Sequence, residues 1–379
     1  MRKFLSLLLL LFLVYVSLPI IETKIDNPKI QSAINTVQTN IDKVRENPEI
    51  IALMEKLQTE FTQLTKQLNQ AIDDPPPKQQ EESDPVAKPD LNTPDKQLFS
   101  VYNVEIGDKK ETVEQKLGSP NRSTQNEYGV KWHTYHEHYH NFVMLAYDEN
   151  NKVAGLYTNQ DLIASPNGIK LGSPKEVVRT ELGEPLTAIR KGLISYQLQS
   201  NGESDLFHLD NSYVTIFYDK HQNNQVTAIQ LIAEELEQNK KQYYTESNEA
   251  LKKGFEYQLF DLTNAARIQH GLGILGWDEE VKVTARGHSK DMAVNNYFDH
   301  TNLEGQSPFD RMQEDNILFS IAGENLAYGQ VSSIFAHEGL MNSLGHRKNI
   351  LKPEYEFLGV GLAFNEKAQP YFTENFFTQ

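Results

Sequence analysis

The chain opens with two positive charges followed by a long apolar run. Arg2 and Lys3 precede residues 4–21, an 18-residue stretch that is apolar apart from two serines and one proline. This order is typical of an export signal that leaves the rest of the chain outside. No small-x-small cleavage site follows, and the run is near the minimum length for a bilayer. We therefore expect an uncleaved membrane anchor, with a cleaved signal peptide as the alternative.

Helical spacing dominates the next segment. Within residues 30–72, apolar side chains recur at alternating steps of four and three, and Asn47-Pro48 supplies a helix start in the middle. These a and d positions predict a two-helix stalk. Either the seam mediates self-association, or it is one side of a solvated stalk. Six prolines among charged and amide residues then predict an extended linker up to residue 97.

A 15-residue motif occurs twice, at an offset of 65. Residues 106–120 and 171–185 each combine a glycine turn, a short helix and a Gly-x-Pro stop. Strand-like segments follow at 142–147 and 214–218, each before a polar turn and a further strand. The pattern predicts a duplicated α+β module over residues 98–240.

Three histidines alternate in an aromatic-rich stretch of this module. If the stretch is a strand, His136, His138 and His140 lie on one face, because strand side chains alternate with period two. Three imidazoles on one face are able to bind a metal. The simpler interpretation is that the histidines face water, while Phe142 and Met144 continue into the core.

Helical periodicity returns in the last third of the chain. An apolar stripe from Phe255 to Ala266 predicts a helix that ends near His270. Asp278 is a suitable N-cap for a second helix over residues 279–295.

Common enzyme motifs are missing from this sequence. Residues 271–276 match G-x-G-x-x-G, but they follow a helix rather than a strand, so we reject a dinucleotide site. His337-Glu338 is not followed by a histidine at position 341, which excludes the H-E-x-x-H zinc helix, and no G-x-S-x-G elbow occurs.

Charge and composition exclude several kinds of partner and several kinds of site. Over 379 residues, 36 Lys and Arg against 52 Asp and Glu give a net charge of −16. Such an acidic chain argues against nucleic acid or anionic lipid headgroups as the main partner. The absence of cysteine excludes a disulfide framework, thiol catalysis and cysteine-ligated zinc.

A set of short phrases occurs in one order along the C-terminal third. They are Asn264-Ala-Ala-Arg267, Leu275-Gly-Trp277-Asp278, Phe298-Asp-His300-Thr301, Gly323-Glu-Asn325, Gly345-His346-Arg347 and Leu358-Gly-Val-Gly361. Over about 130 residues the combination resembles the CAP superfamily (cysteine-rich secretory proteins, antigen 5 and pathogenesis-related proteins) in its bacterial SCP-like form. The resemblance implies an α-β-α sandwich with a small central sheet and an extracytoplasmic site. The upstream module resembles the domain that precedes CAP domains in bacilli.

The resemblance also implies a cleft lined by two histidines and acidic residues. Carried over by motif, the histidine of F-x-H-T is His300, the glutamate of G-E-N is Glu324, and the histidine of G-H-R is His346. The family's second acidic position falls on Ser343 here, and Glu338 lies five residues earlier. Ser343 and Glu338 are therefore weaker candidates for the fourth member.

The side chains of His300, Glu324 and His346 allow two interpretations. His300 and His346, if neutral and adjacent, are able to bind Zn²⁺ with two positions left for water, a weak site because catalytic zinc usually has three protein ligands. Glu324 would then orient a histidine or act as a base for metal-bound water. Alternatively, the three side chains only hydrogen-bond one another and hold the loops of the cleft. We interpret Asn325 and Asn349 as loop-fixing residues. No cofactor other than zinc is expected.

The sequence as a whole predicts an α+β protein in five parts. They are a signal or anchor (1–21), a helical stalk (22–72), a proline-rich linker (73–97), a duplicated CAP-associated module (98–240) and a CAP domain (249–379). We expect the last two to fold separately, because the composition changes near residue 240.

Three functions compete at this point. The first is a membrane-tethered or secreted binding module of the cell envelope, with an unknown envelope component, lipid or protein as its ligand. The second is a metal-assisted hydrolase that acts on peptide or envelope polymer. The third is a structural or signalling protein in which the duplicated module carries the function. A fold resemblance cannot choose among them, because function resides in sites.

Overall fold

A computed structural model describes residues 86–192, 194–198 and 201–379. The predicted anchor (1–21), the predicted stalk (22–72) with its self-association seam, and most of the predicted linker (73–97) lie outside the described residues. Across the part of the chain that the structure describes, no helix has both the length and the apolarity needed to cross a membrane.

The upstream module is built on one large antiparallel sheet. Its elements are β1 (Ser100–Val101), α1 (Lys110–Leu117), β2 (Arg122–Gln125), β3 (Lys131–Glu137), β4 (His140–Tyr147), β5 (Val153–Thr158), β6 (Ile163–Ala164), α2 (Lys175–Leu182), β7 (Ala188–Lys191), β8 (Ile194–Gln197), β9 (Ser204–Leu209), β10 (Ser212–Asp219), a 3₁₀ turn (Lys220–Gln222), β11 (Gln225–Ala233) and α3 (Glu234–Asn239). Seven strands lie in the order β2-β3-β4-β5-β11-β10-β9, and β1 pairs with β6 and β7 with β8. The strands predicted after each motif are confirmed as the hairpins β4-β5 and β10-β11.

The two 15-residue segments have similar local structure. Helices α1 and α2 each bury one valine, Val113 and Val178, against the sheet. Each helix is followed by a glycine with positive φ, Gly118 at 77° and Gly183 at 81°. Glycine is required at both places, because side chains with a Cβ rarely adopt such angles.

The prediction that His136, His138 and His140 share one strand face is wrong. Strand β3 ends before His138, and His138 and Tyr139 form a turn with φ of 48° and 63° before β4 begins at His140. A hairpin therefore interrupts the alternation on which the prediction rested. The His136 ring instead stacks on Tyr139 with ring centroids 4.1 Å apart, and burial lowers its pKa to about 4.

The C-terminal domain is a three-layer sandwich. Its elements are α4 (Glu249–Gln269), β12 (Gly276–Trp277), α5 (Glu279–Asn295), α6 (Pro308–Glu314), β13 (Ile321–Tyr328), α7 (Ser333–Asn342), α8 (Leu344–Ile350), β14 (Phe357–Phe364) and β15 (Pro370–Thr378). The sheet order is β12-β14-β15-β13. The two long helices and the Asp278 cap are confirmed.

Strand β14 shows why helices cover both faces of this sheet. Leu358 and Val360 share a core with Phe255 of α4. On the opposite face, Gly359 and Gly361 meet α5, where a methyl group added to either glycine would lie 2.3 or 2.0 Å from a backbone nitrogen of that helix. The absent side chains let α5 approach closely, and the α-β-α sandwich implied by the resemblance is confirmed.

The upstream sheet is buried on both faces. Val143 and Leu145 of β4 belong to the core under α1 and α2. Phe142 and Met144, which are fully buried as the sequence predicts, point the other way and share a core with Phe255 of the C-terminal domain. We call this second cluster the inter-module core.

Polar contacts also join the upstream module to the C-terminal domain. Arg122 Nε lies 2.9 Å from Asp261 Oδ2, and the Tyr139 hydroxyl donates to Asp261 Oδ1 at 2.8 Å. The Tyr157 hydroxyl donates to Glu338 at 2.6 Å. The described residues belong to one compact unit. Such a shared core favours unfolding as one unit, unlike the separate folding expected from the sequence.

Candidate functional site

Glu324 is the centre of the candidate site. Its side chain is 1% exposed, and both of its carboxylate oxygens have partners. Oε1 lies 2.9 Å from Nδ1 of His300, and Oε2 accepts from Arg311 at 2.7 Å. An ionised carboxylate only accepts hydrogen bonds, so Nδ1 of His300 carries the proton and Nε2 is the nitrogen left to the cleft. The His300 side chain is 51% exposed.

Helix α6 positions the His300 loop. The helix begins with a capping box in which Ser307 and Asp310 exchange hydrogen bonds, with proline next to the cap. This start places Arg311 so that its guanidinium donates to the carbonyls of His300 and Gln306 at 2.9 and 3.1 Å. Arg311 therefore holds both the loop and the Glu324 carboxylate.

Helix α8 carries the second histidine, His346, which is partly exposed. Asn325 Nδ2 donates to the His346 carbonyl at 3.2 Å. Asn349 Nδ2 donates to the Glu324 carbonyl at 3.1 Å and to Asn325 Oδ1 at 2.9 Å. The interpretation of Asn325 and Asn349 as fixing residues is confirmed, and together they hold α8 against β13 beside Glu324.

The two histidines have opposite protonation tendencies. The hydrogen bond to Glu324, reinforced by its charge, raises the pKa of His300 above the ordinary value. Burial, with a further contribution from the charge of nearby His300, lowers the pKa of His346. The structure thus joins His300 directly to Glu324 and holds His346 on the neighbouring helix α8, and the pKa values of the two rings are shifted in opposite directions. One ring is suited to donate a proton or hydrogen bond, and the other to accept one.

The weaker candidates lie apart from this chemistry. Glu338 is buried on α7, where it accepts from Tyr157 of the upstream module, and burial raises its pKa to about 7. Ser343 is the residue between α7 and α8, and its carbonyl accepts from Arg347. Among the described residues, neither side chain forms a hydrogen bond or ion pair with His300, Glu324 or His346.

Arg311 is the residue that sequence reasoning missed. The sequence analysis assigns it no role, yet its guanidinium donates to the Glu324 carboxylate. The Ser307-Pro308-Phe309-Asp310 start predicts the first turn of a helix and so puts Arg311 one turn into it. No local sequence pattern predicts that Glu324 on β13 is the partner of Arg311.

Metal binding at this site would depend on the two histidines. The structure describes no group of three or more histidine, aspartate or glutamate side chains placed to hold a metal ion. Glu324 is occupied by His300 and Arg311, so the free donors are Nε2 of His300 and the ring of His346. Zinc held by these two rings alone, with a carboxylate behind one of them, would be weakly bound, because catalytic zinc usually has three protein ligands.

Two family models match this chain. Residues 106–243 match the CAP-associated N-terminal model, and residues 260–378 match the model of the cysteine-rich secretory protein family. The chain belongs to the cysteine-rich secretory protein, or CAP, family, in the form that carries an associated module ahead of the CAP domain. This confirms the resemblance found in the sequence.

Two relatives from Bacillus subtilis match this chain over different lengths. The chain is 32% identical over 291 residues to the uncharacterized membrane protein YlbC of Bacillus subtilis (strain 168). This alignment covers 72% of this chain and 82% of YlbC. It is 45% identical over 107 residues to the uncharacterized protein YkwD of the same strain, which covers 28% of this chain and 42% of YkwD.

Two solved structures share the arrangement. One is the crystal structure of an extracellular protein containing a SCP domain from Bacillus anthracis str. Ames, with a TM-score of 0.63, 27% identity, and coverage of 78% of this chain and 100% of that chain. The other is a cysteine-rich secretory protein from Staphylococcus aureus subsp. aureus Mu50, with a TM-score of 0.60, 13% identity, and coverage of 76% and 95%. The second shows the fold alone.

Proposed function

We propose that this chain is a non-catalytic binding module of the cell envelope, and that the cleft formed by His300, Glu324 and His346 is its ligand site. Residues 1–21 would tether it to the membrane, or release it if they are cleaved. The N-terminal charge pattern supports export. So do two similar proteins, since YlbC is described as a membrane protein and the Bacillus anthracis neighbour as extracellular.

The observation that carries the proposal is the rigid, asymmetric histidine pair. Arg311 and His300 fix the Glu324 carboxylate, whose hydrogen bond raises the pKa of His300, whereas burial lowers the pKa of His346. A ligand with an acceptor and a donor group would bind to both rings without rearranging the cleft. Preorganised polar groups of this kind favour affinity because little ordering is needed on binding.

Apolar side chains flank the two histidines along the chain. Phe298, Leu303 and Leu344 are 48%, 66% and 55% exposed. They would add apolar contact area around the polar centre, as ligand sites commonly do.

The alternative is a metal-assisted hydrolase acting on peptide or envelope polymer. The opposite pKa directions of His300 and His346 favour it, because such splitting is how acid and base roles are assigned in enzymes. Zinc held by the two rings would polarise a carbonyl or a water. Against this, Glu324 already has partners on both oxygens, and so is a poor general base.

Domain boundaries and the origin of the upstream module belong to the same proposal. We place the boundary between residues 240 and 249, in the segment that joins α3 to α4. The matched helices α1 and α2, with their equivalent buried valines and terminal glycines, support an internal duplication.

The test compares detergent-solubilised wild type with His300→Ala, His346→Ala and Glu324→Gln for retention on washed cell-wall material from which the membranes have been extracted, so that residues 1–21 cannot hold the protein there. The three cleft variants should lose retention, while the distant His138→Ala control should keep it. Equal retention by all five proteins would exclude the cleft as the ligand site. Zinc-dependent release of soluble fragments from labelled envelope that requires His346 would instead support the hydrolase.

A further inference from the structure

A second cavity lies between the upstream module and the CAP domain, apart from the histidine cleft. Its volume is about 420 Å³, within the range of about 300–1,000 Å³ for ligand pockets. One wall is formed by residues 185–187 and by β9 and β10. The other is formed by residues 329–331 and by α7, with Tyr243 of the connecting segment at its side. None of His300, Glu324 and His346 lines it.

The charged side chains at this cavity are compensated within the protein. Arg179 makes two hydrogen bonds of 2.8 Å with Asp205, and Lys220 pairs with Glu203 at 2.6 Å. The fourth charged group of the lining, Glu338, is buried and accepts a hydrogen bond from the Tyr157 hydroxyl. Since no lining charge needs a counter-ion from outside, the cavity suits a neutral ligand.

Aromatic rings give the cavity rigid apolar surfaces. Phe335 is held edge-on against Phe217 with centroids 5.2 Å apart. Tyr243 stacks on Tyr196 at 5.4 Å and meets Tyr244 edge-on at 5.0 Å. Rings braced in this way offer contact area at little cost in conformational entropy.

Hydroxyl and amide groups complete the lining. Thr187, Ser204 and Thr215 contribute hydroxyl groups to the lining. Gln330 contributes an amide whose Oε1 is buried and, among the described residues, has no hydrogen-bond partner. Buried acceptors in native proteins are normally paired, so Gln330 is suited to accept a hydrogen bond from a bound hydroxyl or amide.

We propose that this inter-module cavity binds a neutral oligosaccharide. A pyranose ring has C–H faces that pack on aromatic rings and hydroxyl groups that both donate and accept hydrogen bonds, which matches the lining. A peptide fits less well. Strand β9 is the edge of the seven-stranded sheet, but the backbone of Leu186 already donates to Leu206 at 2.7 Å, so strand addition there is obstructed.

The test uses the full chain in a polyoxyethylene detergent, because a maltoside headgroup would itself be a sugar. Isothermal titration calorimetry compares cellohexaose, chitohexaose and a neutral Gly-Ser hexapeptide. At least one hexasaccharide should bind, and Tyr243→Ala and Gln330→Ala should each weaken its affinity about tenfold. Tyr243→Phe keeps the ring and should bind as wild type does. His346→Ala, which changes only the histidine cleft, should also bind normally. Thermal melts check that each variant is folded.

Three results would overturn the proposal. The first is the absence of heat from both hexasaccharides at millimolar concentration. The second is unchanged affinity in folded Tyr243→Ala or Gln330→Ala. The third is stronger binding of the peptide than of either sugar. The proposed function of the histidine cleft would survive all three results, because its own test depends on His300 and His346.

Discussion

At Gly254 the main chains of the two modules lie close together. It lies on α4, and a methyl group added to it would sit 2.0 Å from the carbonyl oxygen of Gln125 on β2. A normal C···O contact is about 3.3–3.6 Å, so Gly254→Ala must push the strand and the helix apart by more than about 1 Å. That shift also strains the hydrogen bond of 2.9 Å from Gln258 to the same carbonyl.

The expected loss combines two effects. In an exposed helix, alanine is more favourable than glycine by about 1 kcal/mol. Overpacking against groups that cannot rotate away costs about 1–3 kcal/mol or more. Because the obstacle is backbone, we expect the upper end and a net loss of about 2 kcal/mol from the free energy of unfolding.

A matched control is available on α5. Gly287 is exposed, and a methyl group added to it would meet no atom within 4 Å. Gly287→Ala should therefore stabilise the protein by about 0.5–1 kcal/mol. Urea unfolding followed by circular dichroism compares both variants with wild type. A Gly254→Ala protein as stable as wild type, or stabilised like Gly287→Ala, would refute the close packing of the modules.

Three further predictions concern charge. Burial raises the pKa of Glu374 from 4.5 to about 7, so between these pH values the folded state keeps a proton that the unfolded chain loses. The free energy of unfolding should therefore fall by about 3 kcal/mol as pH rises from about 4.5 to above 7. Urea unfolding at several pH values measures this slope, and Glu374→Gln should make it flatter. Arg311→Ala leaves Glu324 with one partner fewer and frees the His300 loop, so it should destabilise the protein by about 2–3 kcal/mol in the same assay, and a change below about 0.5 kcal/mol would contradict the role given to Arg311. Zinc affinity, measured by calorimetry, should fall as pH drops, because both imidazole rings must be neutral to bind the metal. The raised pKa of His300 should move this fall in zinc affinity to a higher pH than for an ordinary histidine. His346→Ala should remove that affinity and His138→Ala should leave it intact; the reverse result would place the metal in the upstream module.

Local sequence patterns predicted much of the fold. The apolar stripe and the Asp278 cap predicted α4 and α5, because both depend on residues within a few turns of each other. The histidines of the β3-β4 hairpin were misplaced, because alternation alone does not show where a strand ends. The turn at His138 and Tyr139 adopts left-handed angles without a glycine to signal it.

The candidate site was predictable only in part. His300, Glu324 and His346 were found through family phrases, since nothing in their spacing along the chain shows that they meet. The role of Arg311 depends on its hydrogen bond to the Glu324 carboxylate on β13, which is a tertiary contact. The inter-module core was missed for a related reason: the alternation of β4 shows two apolar faces but does not name what covers each of them.

The measurement closest to the central claim is an NMR titration of the imidazole rings of His300 and His346. Wild type should show His300 titrating above the ordinary value of about 6.5 and His346 below it. In Glu324→Gln, the His300 midpoint should fall, because its hydrogen-bonded carboxylate is gone. Two histidines that titrate together near 6.5, or a His300 midpoint unchanged in Glu324→Gln, would contradict the asymmetric pair on which the proposed ligand site depends.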